Sequence, residues 1–345
     1  MWEQFKQALS QHSSELLQAP FSAGSRVFIL YLLGATIMAY WLYRRSYRAQ
    51  RTSSTNSSTD SSQFKASGFL AYLFPKSQWL HASALTDYKL FVINKLLWFP
   101  LLLPFALSLT TAFLFISGAL DSTLGLREPI SIAPWLLTLT FTLTLFIMDD
   151  LSRFLLHLAL HKIAWLWEFH KVHHSAETLT PFTIYRSHPV ENFLYTCRSG
   201  MSQGIVIAIF YRYFGDSLSA IDILGANLFT FLFNMAGSNL RHSHIWLSWG
   251  PRVERWLISP AQHQIHHGSD VQYFDKNFGA FLAVWDRLAG TLVLAPKERI
   301  SIRGLKESAA HNVSLAAVYF GPFRQISSRL RTQFGRIFSK STVDH

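Results

Sequence analysis

The chain has 345 residues, 50% of them hydrophobic and 15% charged, with a mean hydropathy of +0.18 and a formal net charge of +11. It is too apolar for an ordinary soluble domain and too mixed for a bundle wholly buried in lipid, and its one cysteine, Cys197, excludes a disulfide framework or a multi-thiolate metal site and reads as a packing residue. The basic balance fits the cytoplasmic flanks of membrane segments, and without a basic-aromatic RNA motif or zinc-finger spacing no nucleic-acid partner is expected.

Charge-free runs at 27–43, 96–120, 129–148 and 223–240 approach the roughly 20 apolar residues that a helix needs to cross a bilayer. Residues 1–25 read as an N-terminal segment and 26–43 as a transmembrane anchor. The anchor has no short positive leader and no Ala-x-Ala site, so it is expected to stay uncleaved. Arg44, Arg45, Arg48 and Arg51 put its C-terminal side in the cytoplasm and the N-terminus outside. Residues 44–84 are expected to be a flexible cytoplasmic linker, because 52–62 (TSSTNSSTDSS) is polar and low in complexity. Run 96–120, kinked by Pro100 and Pro104, then crosses outward, and run 129–148 crosses back. Segments 199–214 and 218–240 are expected to dip into the membrane as a hairpin turning at Gly215 and Asp216. Residues 149–198 and 241–345 then share the cytoplasmic side. The basic tail, 296–345, carries Arg324, Arg329, Arg331, Arg336 and Lys340, and reads either as an amphipathic helix on anionic lipid or as a solvated tail. The expected fold is all-α: a multi-pass transmembrane helical bundle with a cytoplasmic histidine-rich metal-binding cap.

The chain has 15 histidines, and three groups of them are spaced for one helix face: His157-Leu-Ala-Leu-His161, His170-Lys-Val-His173-His174 and His263-Gln-Ile-His266-His267. His242 and His244 lie between the last two. Neutral imidazole suits iron, zinc, copper and nickel. A structural zinc takes four ligands, so the nine residues His157, His161, His170, His173, His174, His242, His263, His266 and His267 are too many for one tetrahedral site and suit two ions. Asp150 lies two helical turns before His157. It reads either as an acceptor for a ligand N–H or as a helix-end carboxylate at the membrane surface. His188, before Pro189 and Glu191, reads as support behind the ligands or as a turn residue. His12, His81, His311 and His345 read as surface residues.

These motifs resemble the fatty acid hydroxylase or sterol desaturase superfamily. The likeness rests on Asp150 before the first box, Trp167-Glu-Phe-His170-Lys-Val-His173-His174-Ser175, Arg186-Ser-His188-Pro189 and Ser259-Pro260-Ala-Gln-His263-Gln-Ile-His266-His267-Gly268. Asn277-Phe-Gly279 and Trp285-Asp286-Arg287-Leu-Ala-Gly290-Thr291 extend it, so that it covers about residues 85–295, the expected catalytic domain. The stretch from His242-Ser-His244 to Gly250-Pro251 is also similar to the alkylglycerol monooxygenase branch, in which the position of His244 is usually acidic; His242 is therefore the expected ligand. The resemblance implies two Fe(II) ions, with zinc as a substitute, and O2 as co-substrate to hydroxylate or desaturate a fatty acyl, sterol or alkyl-ether chain. It also implies an external electron donor, since the chain shows no dinucleotide fingerprint and no cysteine set for an iron–sulfur cluster.

Trp165, Trp167, Phe169 and Phe182 are expected along the lipid's route, Asp286 and Arg287 as an ion pair that anchors the cap, and Gly279 at a positive φ. A metal transporter should place ligands along the spanning helices, and here they fall outside the apolar runs. A zinc-stabilised scaffold is the other alternative, and a zinc hydrolase lacks a His-Glu-x-x-His motif. With no KDEL-like tail and no lysine retrieval signal, a bacterial inner membrane is expected rather than the endoplasmic reticulum.

Overall fold

Helix α1 (Ile29–Ser53) opens the fold of the computed structural model, which describes residues 10, 13–15, 17–53, 68–223, 226–305, 310 and 314–341. Its buried side carries Tyr31, Ala35 and Ala39, yet Ile29, Leu33, Ile37 and Trp41 on the other side are exposed.

After α1 come α2 (Phe69–Leu73), α3 (Lys76–Trp79) and α4 (Ala82–Ile93), then a π-helical turn at Asn94–Trp98 and α5 (Phe99–Leu102). Much of the segment expected as a linker, 44–84, is thus helical, while 54–67 lie outside the described residues. Helix α6 (Leu109–Leu124) is capped by Ser108, whose hydroxyl accepts from Thr111 N. The run Ala82–Leu124 is the one stretch among the described residues long and apolar enough to cross a membrane by length and composition. Its surface agrees with that, since Phe115 is 74% exposed.

Helices α7 (Pro134–Lys162) and α9 (Pro189–Phe214) are the long rods of the fold, at about 1.5 Å per residue each long enough for the roughly 30 Å hydrocarbon core. Helix α9 packs along both α6 and α7. Gly200 and Gly204, one turn apart, permit this approach: a Cβ on Gly204 would lie 2.6 Å from Ala112 Cβ. Between the rods lie α8 (Ala164–His174) and a 3-10 turn at Pro181–Tyr185 started by a Thr180 capping box. Gly215, with φ 73°, ends α9 at the expected turn.

The returning helix expected over 218–240 does not form. The chain instead makes a two-stranded antiparallel ribbon, β1 (Asp222–Ile223) with β2 (Ala226–Asn227), and a short α10 (Leu228–Met235). Asn227, with its carboxamide oxygen accepting from Phe229 N, starts α10 late, and Gly237 in the left-handed region ends the segment early. Eight residues reach about 12 Å, too little to cross. A 3-10 turn (Ser238–His242) follows, then α11 (Pro260–His266), α12 (Val284–Ala289) and the C-terminal α13 (Leu315–Ser341), which packs on α8. The architecture is otherwise helical, as expected from the sequence.

Candidate metal centre

Four elements carry the nine histidines. The last turns of α7 supply His157 and His161, and α8 supplies His170, His173 and His174. The turn Ser238–His242 ends on His242, and α11 with its C-cap supplies His263, His266 and His267. Local sequence fixes where α11 begins. Ser259 Oγ accepts from Gln262 N, Gln262 Oε1 accepts from Ser259 N, and Pro260 occupies the first turn. That capping box sets the rotation of the three imidazoles behind it.

The histidines meet in two adjoining groups. His157, His161, His170, His174 and His266 form one, and His173, His242, His263 and His267 the other; within each, one ring nitrogen per residue lies within 4.8 Å of all the others. Both HxxHH boxes divide between the groups. On α8, the i and i+4 rings enter the first and the i+3 ring the second. On α11, His266 enters the first, and His263 and His267 the second.

The outer ring nitrogens show how the site is oriented. Nδ1 of His157 bonds to Phe278 O at 2.8 Å, His266 to Lys276 O at 2.8 Å, His173 to Arg186 O at 3.3 Å, and His170 to Glu191 Oε1 at 2.9 Å. His161 Nδ1 faces Asp275 Oδ1 at 3.3 Å. A ring donating from Nδ1 presents its Nε2 lone pair inward, the arrangement a metal-bound imidazole requires. Inward, Nε2 atoms crowd together: His157 with His170 at 3.2 Å, His161 with His174 at 3.1 Å, His242 with His263 at 3.0 Å. His266 Nε2 and His267 Nε2 are buried without a partner. Burial pushes all nine imidazoles below the ordinary histidine range, His157 and His173 to about 4. Nine buried rings, five of them with Nδ1 turned to an acceptor, and orphaned nitrogens among them fit a pair of nitrogen-preferring metal ions.

Asp150 and His188 touch none of these rings. Asp150 accepts from Phe281 N (3.0 Å), Leu282 N (2.9 Å) and Trp285 Nε1 (2.9 Å), and so anchors the segment after the third box to α7. Burial raises its carboxyl to about 6. His188 caps α9, with Nδ1 accepting from Val190 N, and its Nε2 bonds to Tyr319 O on α13. His244 lies outside both groups, its Nε2 2.7 Å from Tyr72 O. Asp286 is not paired with Arg287. Its carboxylate accepts from Phe278 N, Gly279 N and Thr291 Oγ1, while Arg287 lies over the Trp256 ring. The positive φ falls on Asn277 (56°) rather than Gly279, which is small for a different reason: a Cβ there would lie 2.8 Å from Asp286 Oδ2.

Sequence reading did not single out Asp275, gave Glu191 only as a neighbour of His188, and gave Arg186 only as part of a motif. Glu191 follows His188 by three residues, the one local hint of its role. Arg186 is fully buried. It donates to Val172 O, Ser83 O and Ser175 and pairs with Asp87 at 3.0 Å, tying α8 to α4.

Two cavities of about 200 Å³ flank the groups. One is walled by His161, Trp167, His174, His266, Phe274 and Leu305. The other is walled by His157, His170, His173, His242 and His263 and extends to Tyr195 and Arg241. Of the expected route aromatics, Trp167 packs on His161 and His174 with centroids at 5.0 and 5.5 Å, and Phe169 packs on His188. Phe182 lines a third, apolar cavity, and Trp165 is exposed on the surface.

A mainly helical chain with two adjoining all-imidazole groups is a histidine-box protein. Residues 142–291 match the model of the fatty acid hydroxylase family. Among curated proteins it is similar to alkylglycerol monooxygenase of Danio rerio, 29% identical over 50% of this chain and 34% of the relative, and to that of Homo sapiens, 27% identical over 42% and 29%. It is also similar to the Delta(7)-sterol 5(6)-desaturase of Saccharomyces cerevisiae, 30% identical over 43% of this chain and 34% of the relative. The matched region spans about a third of each relative's length. No solved structure matches.

Proposed function

We propose that this protein is a membrane lipid oxygenase that inserts oxygen into, or desaturates, a lipid chain, with two iron ions held by the nine histidines. The observation that carries the reading is the division of nine neutral imidazoles into two adjoining groups beside a cavity. The relatives, an alkylglycerol monooxygenase and a sterol desaturase, agree with it. Hydroxylation balances as one C–H bond, O2, two electrons and two protons giving an alcohol and water. Desaturation takes two C–H bonds on adjacent carbons with the same O2, two electrons and two protons, and gives a C=C bond and two waters. The electrons come from a separate donor protein.

One iron would be held by His157, His161, His170, His174 and His266, and the other by His173, His242, His263 and His267. Bound iron would supply the reduction of O2 and the oxidation of an unactivated C–H bond, which side chains alone do not perform. The chain's own residues orient and shield. Glu191 and the carbonyls of Phe278, Lys276 and Arg186 hold His170, His157, His266 and His173 in one tautomer. Asp150 and Asp286 hold the segment that carries the Phe278 and Lys276 carbonyls, and Phe278 packs against His157, His161 and His266, closing the centre to water. We place the centre on the cytoplasmic side of a multi-pass membrane domain, in keeping with the Arg44, Arg45 and Arg48 flank of α1 and the exposed apolar faces of α1 and α6.

Elemental analysis of protein purified in mild detergent tests this. About two irons per chain are expected, one for each imidazole group, falling to about one in either His161→Ala or His263→Ala. Absence of any metal after anaerobic, iron-replete preparation would overturn the reading. With O2, a chemical reductant and membrane lipid, mass spectrometry should find a product 16 mass units heavier or 2 lighter.

A further inference from the structure

The second cavity has a wall that this reading leaves unused. Arg26, Arg153 and Arg241 line it together with the imidazoles. They come from the segment before α1, from α7 one turn before His157, and from the turn that ends at His242. Arg26 Nη1 donates to Asn234 Oδ1 and Ser238 Oγ, and its guanidinium lies over the Phe281 ring at 5.7 Å. Arg241, 6% exposed, donates to Ser238 O and Ala280 O and lies over Phe233 at 5.5 Å. Among the described residues no carboxylate comes within ion-pairing distance of either. Arg153 shares the single carboxylate of Asp149 with Arg198, at 2.7 and 2.9 Å.

The balance of charge is positive. Four guanidiniums stand against Asp149, Asp150 and Glu191. Asp150 is committed to Phe281, Leu282 and Trp285, and Glu191 Oε1 to His170. Buried cations without counter-ions cost several kcal/mol each, and aromatic faces and neutral acceptors return part of that. A planar guanidinium fork is shaped to take a carboxylate or phosphate. The surroundings are those of an amphiphile. Val27 and Leu240, next in sequence to Arg26 and Arg241, line an apolar cavity of about 340 Å³ with Leu32, Leu73, Trp79 and Phe182. Asn192, Tyr195 and Arg153 continue into another of about 500 Å³ that contains Lys95 and Arg198.

We propose that Arg26, Arg153 and Arg241 bind the anionic head group, a phosphate or carboxylate, of the lipid on which the metal centre acts. The substrate assignment rests on the oxygenase reading, but the anion site does not. The imidazoles and the guanidiniums wall the same cavity of about 200 Å³. The oxidised carbon therefore lies within the first few positions from the head group, not deep in the chain.

Binding is measured on the full chain in neutral detergent, anaerobically and with no electron donor, so that it is independent of turnover. The probes are hexadecyl phosphate, hexadecanoate, hexadecanol and inorganic phosphate, followed by tryptophan fluorescence. Both anionic lipids should bind roughly 10-fold or more tighter than hexadecanol, the scale of one or two charge-assisted hydrogen bonds. Arg26→Gln should erase that preference and Arg26→Lys retain part of it, with metal content unchanged; Arg153→Gln is the second variant should Arg26→Gln not fold. Equal binding of hexadecanol, or a preference untouched in the folded Gln variant, overturns the proposal. Inorganic phosphate binding as tightly as hexadecyl phosphate overturns the lipid as the source of the anion. If the anion preference holds while no lipid is ever oxidised, the oxygenase reading fails and the anion site stands.

Discussion

Glu191 accepts a hydrogen bond from His170 Nδ1 at 2.9 Å, with both side chains almost wholly buried. The carboxylate comes from the first turn of α9 and the imidazole from α8, so the pair joins the second histidine box to the long helix behind it. Burial raises the Glu191 carboxyl well above its ordinary range. Removing this acceptor frees the His170 ring to rotate and to change tautomer. Glu191→Ala is expected to weaken metal binding about 10–100-fold, the usual scale for loss of such a partner, whereas Glu191→Gln retains an acceptor oxygen and loses less. Competition against a graded chelator measures this; equal affinity in Glu191→Ala and wild type would refute it.

Arg186 and Asp87 are each fully buried and pair at 3.0 Å, and Thr183 Oγ1 donates to the other Asp87 oxygen at 2.6 Å. Arg186 O also receives His173 Nδ1. Asp87→Ala leaves a buried guanidinium without its counter-ion, a loss of about 3–5 kcal/mol. The expected result is a markedly lower thermal midpoint in detergent, with iron content falling in step. The double variant Asp87→Leu/Arg186→Met, which removes both charges, should recover part of the stability but not the position of His173.

Stability of the metal-free protein should fall on acidification. His157, His173 and His188 are held at about 4 by burial against an ordinary 6.5. Between those values the unfolded chain binds protons that the folded chain refuses. Stability is therefore fully present above about 6.5 and is lost as pH falls toward 4, at about 1.4 kcal/mol per pH unit for each such ring. The raised buried carboxyls of Asp87, Asp150, Glu191 and Asp286 oppose this, those of Asp87 and Asp150 below about 6, but the eleven depressed histidines outnumber them. A thermal midpoint of chelator-treated protein that is lower at pH 5 than at pH 7 is expected; a flat or rising profile contradicts the burial of neutral rings.

The sequence by itself determined the class of the protein. Charge-free runs announced the long helices, and i, i+3, i+4 spacing put each histidine box on one helix face, because helix periodicity is a local property. The nine rings were legible for the same reason. The Ser259-Pro260-Ala-Gln262 capping box was legible in principle, since its hydrogen bonds span three residues. What lies across the chain was not legible. Spacing does not show that both HxxHH boxes are shared between two groups, since that depends on the angles at which α7, α8 and α11 meet. Glu191 and Asp275 were missed as partners of His170 and His161, which stand 21 and 114 residues away. Asp150 lay on the correct face yet met backbone amides at 281–282 in place of an imidazole. The apolar run at 223–240 also misled, because hydropathy records composition and not where Asn227 and Gly237 interrupt the helix. Only the tertiary structure decided which nitrogen faces the middle of each imidazole group and which faces a carbonyl, because that choice rests on acceptors supplied by remote segments.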